Sequence, residues 1–353
     1  MPLPPSVYPD FPIDIEGAQA RDPHPNRWNL GLLFGNCNGP RCIKRSGLMK
    51  CGACKAVAYC GAEHQKAHRP EHKTSCNSIK RSLESFEREE ASLRAHPGDE
   101  MTPANPFETL HGRFYLFHHT RPYMRLRFDV MMAYLNIRNT MAVEEALRHA
   151  LGMLDLNPGD NQGVRGYVPA MYLRLGRDQE AYDFLKCWSD LDAPNFELKD
   201  QDAFEDCERL LEDSIDVAHH AALTHLKIRL LLDVKMLDAN VKKHSDHSYE
   251  KKQQWVLEDA MTDILRKRRD IVDRADYTDL IKELEGQIRH MHQLTTKRNK
   301  YYWPAVQNPD RYAAAPITAF SPGSPQEVNL AFRQTWYMWA ETPPVIEYVT
   351  KLK

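Results

Sequence analysis

The sequence predicts a mainly α-helical protein with a small metal-held module near one end. Apolar residues recur at helical spacing through most of the chain, as in Leu126, Val130, Ala133 and Ile137, or Leu280, Leu284, Ile288 and Met291. Strand-like alternation is nearly absent. Six of the eight cysteines fall between Cys37 and Cys76, in a stretch almost without bulky apolar residues.

The composition sets the frame for these elements. A chain of 353 residues holds one large domain or two unequal ones. Its 42 % hydrophobic and 27 % charged residues are those of an ordinary globular protein. The formal charge of −2 excludes a polycation that binds nucleic acid by bulk charge. The proline-rich start, MPLPPSVYPDFPID, lacks the basic end and apolar core of a secretory signal, and no apolar run reaches the ~18 residues of a membrane span. The apolar patch at Ile228 to Leu232 is broken by Arg229 and followed by Asp233. The expected setting is intracellular, cytoplasmic or nuclear. Clustered cysteines there read as metal ligands before disulfides.

The cluster comes first along the chain. It runs Cys37-x4-Cys42-x8-Cys51-x2-Cys54-x5-Cys60-x3-His64-x7-His72-x3-Cys76. Eight ligands suffice for two four-coordinate zinc ions, and sites closed in this way are structural rather than catalytic. Cys51-x2-Cys54 is a knuckle whose two sulfurs reach one ion, while Cys60/His64 and His72/Cys76 each share a face of a helical turn. A stretch so poor in large apolar side chains cannot bury a core of its own, so the metal takes that place. Reduced, unmetallated thiols are the bland alternative, and eight spaced ligands argue against it. His68 competes with His64 as a ligand. Spacing alone does not choose between interleaved and sequential pairing of the ligands.

The order of these residues, with Tyr59 before Cys60, Gln65 after His64 and Lys73 after His72, resembles the MYND-type zinc finger. The resemblance implies two cross-braced zinc ions, one held by Cys37, Cys42, Cys60 and His64 and the other by Cys51, Cys54, His72 and Cys76. It also implies a peptide groove beside Gln65. The family's usual cysteine is replaced by His64, its first pair is wider here, and Arg69 stands where a tryptophan is common. Gln65 and Arg69 are therefore the candidate peptide contacts. Between Cys37 and Cys76 there are eight Lys or Arg and two acidic residues. These cations either offset the thiolates or attract an acidic peptide or nucleic acid.

Four segments follow: a proline-rich segment at 1–30, the finger at 31–80, a polar helix and linker at 81–105, and a helical, repeat-like domain at 106–353. Thr74 to Ala95 contains no proline or glycine and reads as a helix ended by Pro97-Gly98. Asn105-Pro106-x-Glu108 and Ser324-Pro325-x-Glu327 are helix starts. Tyr172, Leu175, Gly176 and Ala181, with Ala146 one repeat length earlier, resemble a degenerate tetratricopeptide repeat, which implies an α-solenoid-like domain; a bare helical hairpin is the alternative. The segments around "LNPGDNQGVRGYVPAMYLRLG" and "YYWPAVQNPD" also resemble a group of fungal MYND-finger proteins, which implies architecture and no chemistry. Phe332, Trp336 and Trp339 form an apolar stripe that is either core or a partner face.

No catalytic motif emerges. There is no phosphate loop, Gly-x-Gly-x-x-Gly or Gly-x-Ser-x-Gly. His290 and His292 diverge on a helix; His118-His119 and His219-His220 suggest no role; Cys187 reads as a buried thiol and the Arg266–Arg269 run as a solvated face. Some SET-type lysine methyltransferases carry a MYND finger, but only 36 residues precede Cys37 and their Asn-His-Ser-Cys motif is missing. The expectation is a non-enzymatic adaptor that binds zinc and a protein or peptide, proline-containing peptides among them. A transcriptional regulator using the basic finger on nucleic acid is the alternative, and neither a membrane nor a small-molecule substrate is expected.

Overall fold

The computed structural model describes residues 36–189, 197, 199–212, 216–313 and 315–352; the proline-rich segment at 1–30 lies outside them. Among the described residues helices dominate, and the strands are two residues long. β1 (Met49–Lys50) pairs antiparallel with β2 (Ala58–Tyr59), Met49 opposite Tyr59 and Lys50 opposite Ala58. The turn between them carries the Cys51–Cys54 knuckle. It is closed by Lys55, which is left-handed at φ 57° and donates its N–H to the Cys51 carbonyl at 2.9 Å.

α1 (Ala62–Arg94) starts inside the finger and runs for 33 residues. His72, Cys76, Ile79, Phe86 and Leu93 are its buried positions. They lie three, four or seven residues apart, so two metal ligands and three apolar side chains share one stripe. The sequence placed the end of the finger at residue 80. The helix passes through that point because nothing between Thr74 and Arg94 breaks it, and the spacing of His72 and Cys76 already requires helix.

α1 packs against α2 (Arg121–Leu135), which in turn packs on α3 (Thr140–Leu156). Phe86 meets Tyr123 with ring centroids 5.1 Å apart and His149 edge-on at 5.4 Å. The compact unit containing the finger continues to Met171, past the boundary expected near residue 105. Its physical cause is direct: Tyr134 Oη donates to the Cys54 carbonyl at 3.2 Å, and Asn139 Nδ2 donates to the Ala56 carbonyl at 2.8 Å. Asn139 also caps α3, accepting the Ala142 N–H at 2.8 Å. The helix start at Asn105-Pro106 is present but lasts one turn, Pro106–Thr109.

A second unit runs from Tyr172 to Lys353. The division falls within α4 (Val168–Arg174), which is followed by Gly176 at φ 68° and α5 (Asp178–Cys187). A helix, turn and helix is what both the repeat and the bare hairpin predict, and Ala181 is fully buried. The axis of the second unit is α6 (Val217–Lys243), with α7 (Thr278–Arg298) and α8 (Pro325–Ala340) packed on it. Leu280, Leu284, Ile288 and Met291 face inward from α7. Ser324 caps α8 by accepting the Glu327 N–H. Phe332, Trp336 and Trp339 are all buried, so that stripe is core.

The charges that interrupt the apolar patch on α6 are buried rather than solvated. Arg229 donates to the Leu173 carbonyl at 2.9 Å and pairs with Asp178 through Nε and Nη2, both at 3.1 Å. Asp233 accepts the N–H groups of Met261 and Thr262 at 2.7 and 2.9 Å. Buried charge is tolerated where it is paired in this way, and these pairs anchor loops to α6. Among the described residues, no helix is long and apolar enough to cross a membrane.

Candidate metal centre

The eight ligands gather into two groups of four. Cys37, Cys42, Cys60 and His64 form one; Cys51, Cys54, His72 and Cys76 form the other. The order along the chain is interleaved. The first group takes its ligands from the loop before β1, from the residue after β2 and from the first turn of α1. The second takes them from the knuckle and from two turns further along α1.

The distances fit zinc. Two sulfurs each ~2.3 Å from a tetrahedral ion lie about 3.8 Å apart, and a sulfur and an imidazole nitrogen about 3.5 Å. In the first group Cys42 and Cys60 sulfurs are 3.9 Å apart, and His64 Nδ1 lies 3.4 Å from Cys37 Sγ and 3.1 Å from Cys60 Sγ. In the second, Cys51 and Cys76 sulfurs are 3.8 Å apart and His72 Nε2 lies 3.3 Å from Cys54 Sγ. All four positions of each ion would be filled by protein, which is the closed arrangement of a structural site.

The electrostatics call for a dication. Burial, together with the neighbouring sulfurs of Cys51 and Cys76, pushes the Cys54 thiol up to about 12. Three thiolates cannot share this space without positive charge between them, and a coordinating ion deprotonates them outright. Burial pulls His72 down to about 4, which keeps its ring neutral with a lone pair to give. At Cys37 burial acts against ionisation, yet the backbone N–H groups of Cys60 and Gly39, 3.3 and 3.4 Å from Sγ, bring the thiol down to about 7. Gly39 matters sterically as well. A Cβ there would stand 2.4 Å from His64 Cβ and 2.9 Å from His64 Nδ1, so only glycine lets this loop approach the histidine.

Residues 35–76 match the MYND finger family. The chain carries a MYND-type zinc finger. No curated protein and no solved structure gives a significant match to the chain. The MYND finger here is cross-braced, the pairing that ligand spacing alone left open. His68 belongs to neither metal group. Its Nδ1 lies 2.9 Å from Tyr59 Oη, and its ring stacks on that of His72 at 5.5 Å.

The other residues singled out in the sequence have ordinary surroundings. Cys187 is buried, and burial pushes its thiol up to about 11. His219 and His220 are in the core. His290 Nε2 meets Glu208 at 2.9 Å, while His292 stacks on Trp303. Lys267 and Arg268 pair with Asp200 and Asp202, and Arg269 lies over the Tyr249 ring. Gln65 and Arg69 are exposed, one turn apart on α1.

Proposed function

We propose that the chain is a non-enzymatic adaptor whose MYND finger takes an extended peptide along the outer edge of β1. The observation that carries this is the edge itself. β2 is covered on its far side by Asn38, whose N–H donates to the Ala58 carbonyl at 2.8 Å and whose Oδ1 accepts the Ala58 N–H at 2.9 Å. β1 has no such cover among the described residues: the sheet ends there, and Met49 is 62 % exposed. A peptide adding as a third strand would use the outward N–H and C=O of Lys50. Gln65 and Arg69 offer polar contacts, and the two filled zinc sites leave no open position for chemistry at either ion.

The charge of the finger favours an acidic occupant. Arg41, Lys44, Arg45, Lys50, Lys55, Lys66, Arg69 and Lys73 are all exposed. With six thiolates and two zinc ions included, the finger carries a net charge of roughly +4. This also supports the second reading, a regulator that contacts nucleic acid, whereas the strand edge favours peptide. Titration of the zinc-loaded chain with a proline-containing acidic peptide, read by amide shifts, is the test. Binding at about micromolar Kd is expected, with shifts at Lys50 and Gln65 and weakening by Gln65→Ala. Absence of shifts there, with salt-dependent retention on DNA instead, would favour the second reading.

A further inference from the structure

Among the described residues outside the finger, one more set of metal-ligating side chains converges. His96 stands just beyond the end of α1, Asp99 follows in the turn after Pro97-Gly98, and His119 comes from the single 3-10 turn His118–Thr120. Their donor atoms all lie within 4.8 Å of one another. Asp99 Oδ2 is 3.5 Å from His96 Nε2 and 3.6 Å from His119 Nδ1, and the two rings lie 5.4 Å apart. Donors bound at ~2.1 Å around a tetrahedral ion are about 3.4 Å apart, so the carboxylate already stands at ligand distance from both imidazoles.

The carboxylate is also preset. Asp99 Oδ1 accepts the N–H groups of Met101 and Thr102 at 2.8 and 2.7 Å, which turns Oδ2 toward the rings. Only glycine fits the turn before Asp99: Gly98 is at φ 90°, and a Cβ there would lie 2.7 Å from the Ala104 nitrogen.

We propose that His96, Asp99 and His119 form a third metal site, open on its solvent side. Two imidazoles and one carboxylate select a zinc-class divalent transition ion over calcium or magnesium, which prefer all-oxygen shells. With three protein ligands and no thiolate, the site binds more weakly than either site of the finger. Occupied, it ties the end of α1 to the turn that leads into α2, closing the loop between them. Binding rearranges two present contacts. The Gly98 N–H now donates to His96 Nδ1 at 3.1 Å, and Thr102 Oγ1 lies 2.9 Å from His119 Nδ1. Coordination through His96 Nε2 places the ring proton on Nδ1, so the Gly98 contact opens; coordination through His119 Nδ1 turns the Thr102 hydroxyl away.

Cobalt(II) titration of the full chain tests this, because the metal reports its own ligands. Two equivalents should develop the intense near-ultraviolet thiolate charge-transfer bands of the finger. A third should add only weak visible absorption and move the Gly98 amide resonance. Asp99→Asn and His119→Asn should each stop at two equivalents with the thiolate bands unchanged, which also shows that the finger has folded in each variant. A wild-type titration that ends at two equivalents overturns the proposal. So does a third equivalent that persists in both variants, since the ion is then held elsewhere.

Discussion

The two zinc sites have the same donors, three sulfurs and one imidazole, but different surroundings. Cys51, Cys54, His72 and Cys76 are all buried, whereas Cys42, Cys60 and His64 are only half-buried. The deep site sits where a hydrophobic core would be: its knuckle is bonded to Tyr134 and the Ala56 carbonyl just after it to Asn139, and its helix ligands continue into the apolar stripe of α1. The shallow site clasps a loop to the first turn of α1. Identical coordination chemistry thus serves packing in one place and fastening in the other.

Mutating a deep ligand is the most severe way to break this comparison. Cys54→Ser should leave at most one zinc per chain and destabilise the unit that runs to Met171. A structural zinc is worth roughly 10–16 kcal/mol of folding energy, and losing even part of it exceeds the margin of most domains. Metal analysis and amide exchange of Arg121–Leu156 are the measurements. Wild-type protection in those helices would mean that the deep site is no core at all.

Gly39→Ala should act on the shallow site alone. The added methyl displaces His64, so one zinc should pass to a chelator at least roughly tenfold faster while the other is retained. Equal acceleration at both ions would show that the two sites act as one.

The smallest expected effect concerns the packing behind the deep site. His149 stacks on Tyr134, the residue that holds the knuckle. Burial, then the charges of Arg148 and Arg127, pull its ring down to about 3, against 6.5 in a free chain. The unfolded chain therefore binds more protons below pH ~6.5, and this contribution to stability is complete above that pH and falls as pH drops toward 3. Replacing the ring with His149→Leu should remove about 1.4 kcal/mol of the stability difference between pH 7.5 and pH 5.5, read by denaturant unfolding at the two values. An unchanged slope would put the acid sensitivity elsewhere.

The ligands of the finger were legible because metal geometry is local. Cys51-x2-Cys54 and His72-x3-Cys76 each reach an ion from within a single turn. Their cross-bracing was legible through the family resemblance and not from spacing, because pairing depends on where β2 and the start of α1 bring Cys60 and His64. The docking of the knuckle and of Ala56 after it was hidden for the same reason: Tyr134 and Asn139 lie about eighty residues from the carbonyls they hold. His119 carried no signal beside His118, since its partners are a helix end and a turn some twenty residues earlier. The helix periodicities were legible, and so was Ser324. Arg229 and Asp233 were visible as interruptions, but burial and pairing belong to the tertiary structure.

α1 belongs at once to the finger and to the helices behind it, and so the two inherit one angular phase. Each residue of an α-helix advances the side chain by about 100°. The stripe that begins with His72 and Cys76 ends with Phe86 and Leu93, with no flexible joint to absorb a change of length. A single inserted residue between Cys76 and Ile79 would turn the apolar half away from Tyr123 while the metal half stayed in place. The finger is therefore geared to its neighbours through one shaft, and cannot be lengthened, shortened or exchanged as a separate cassette.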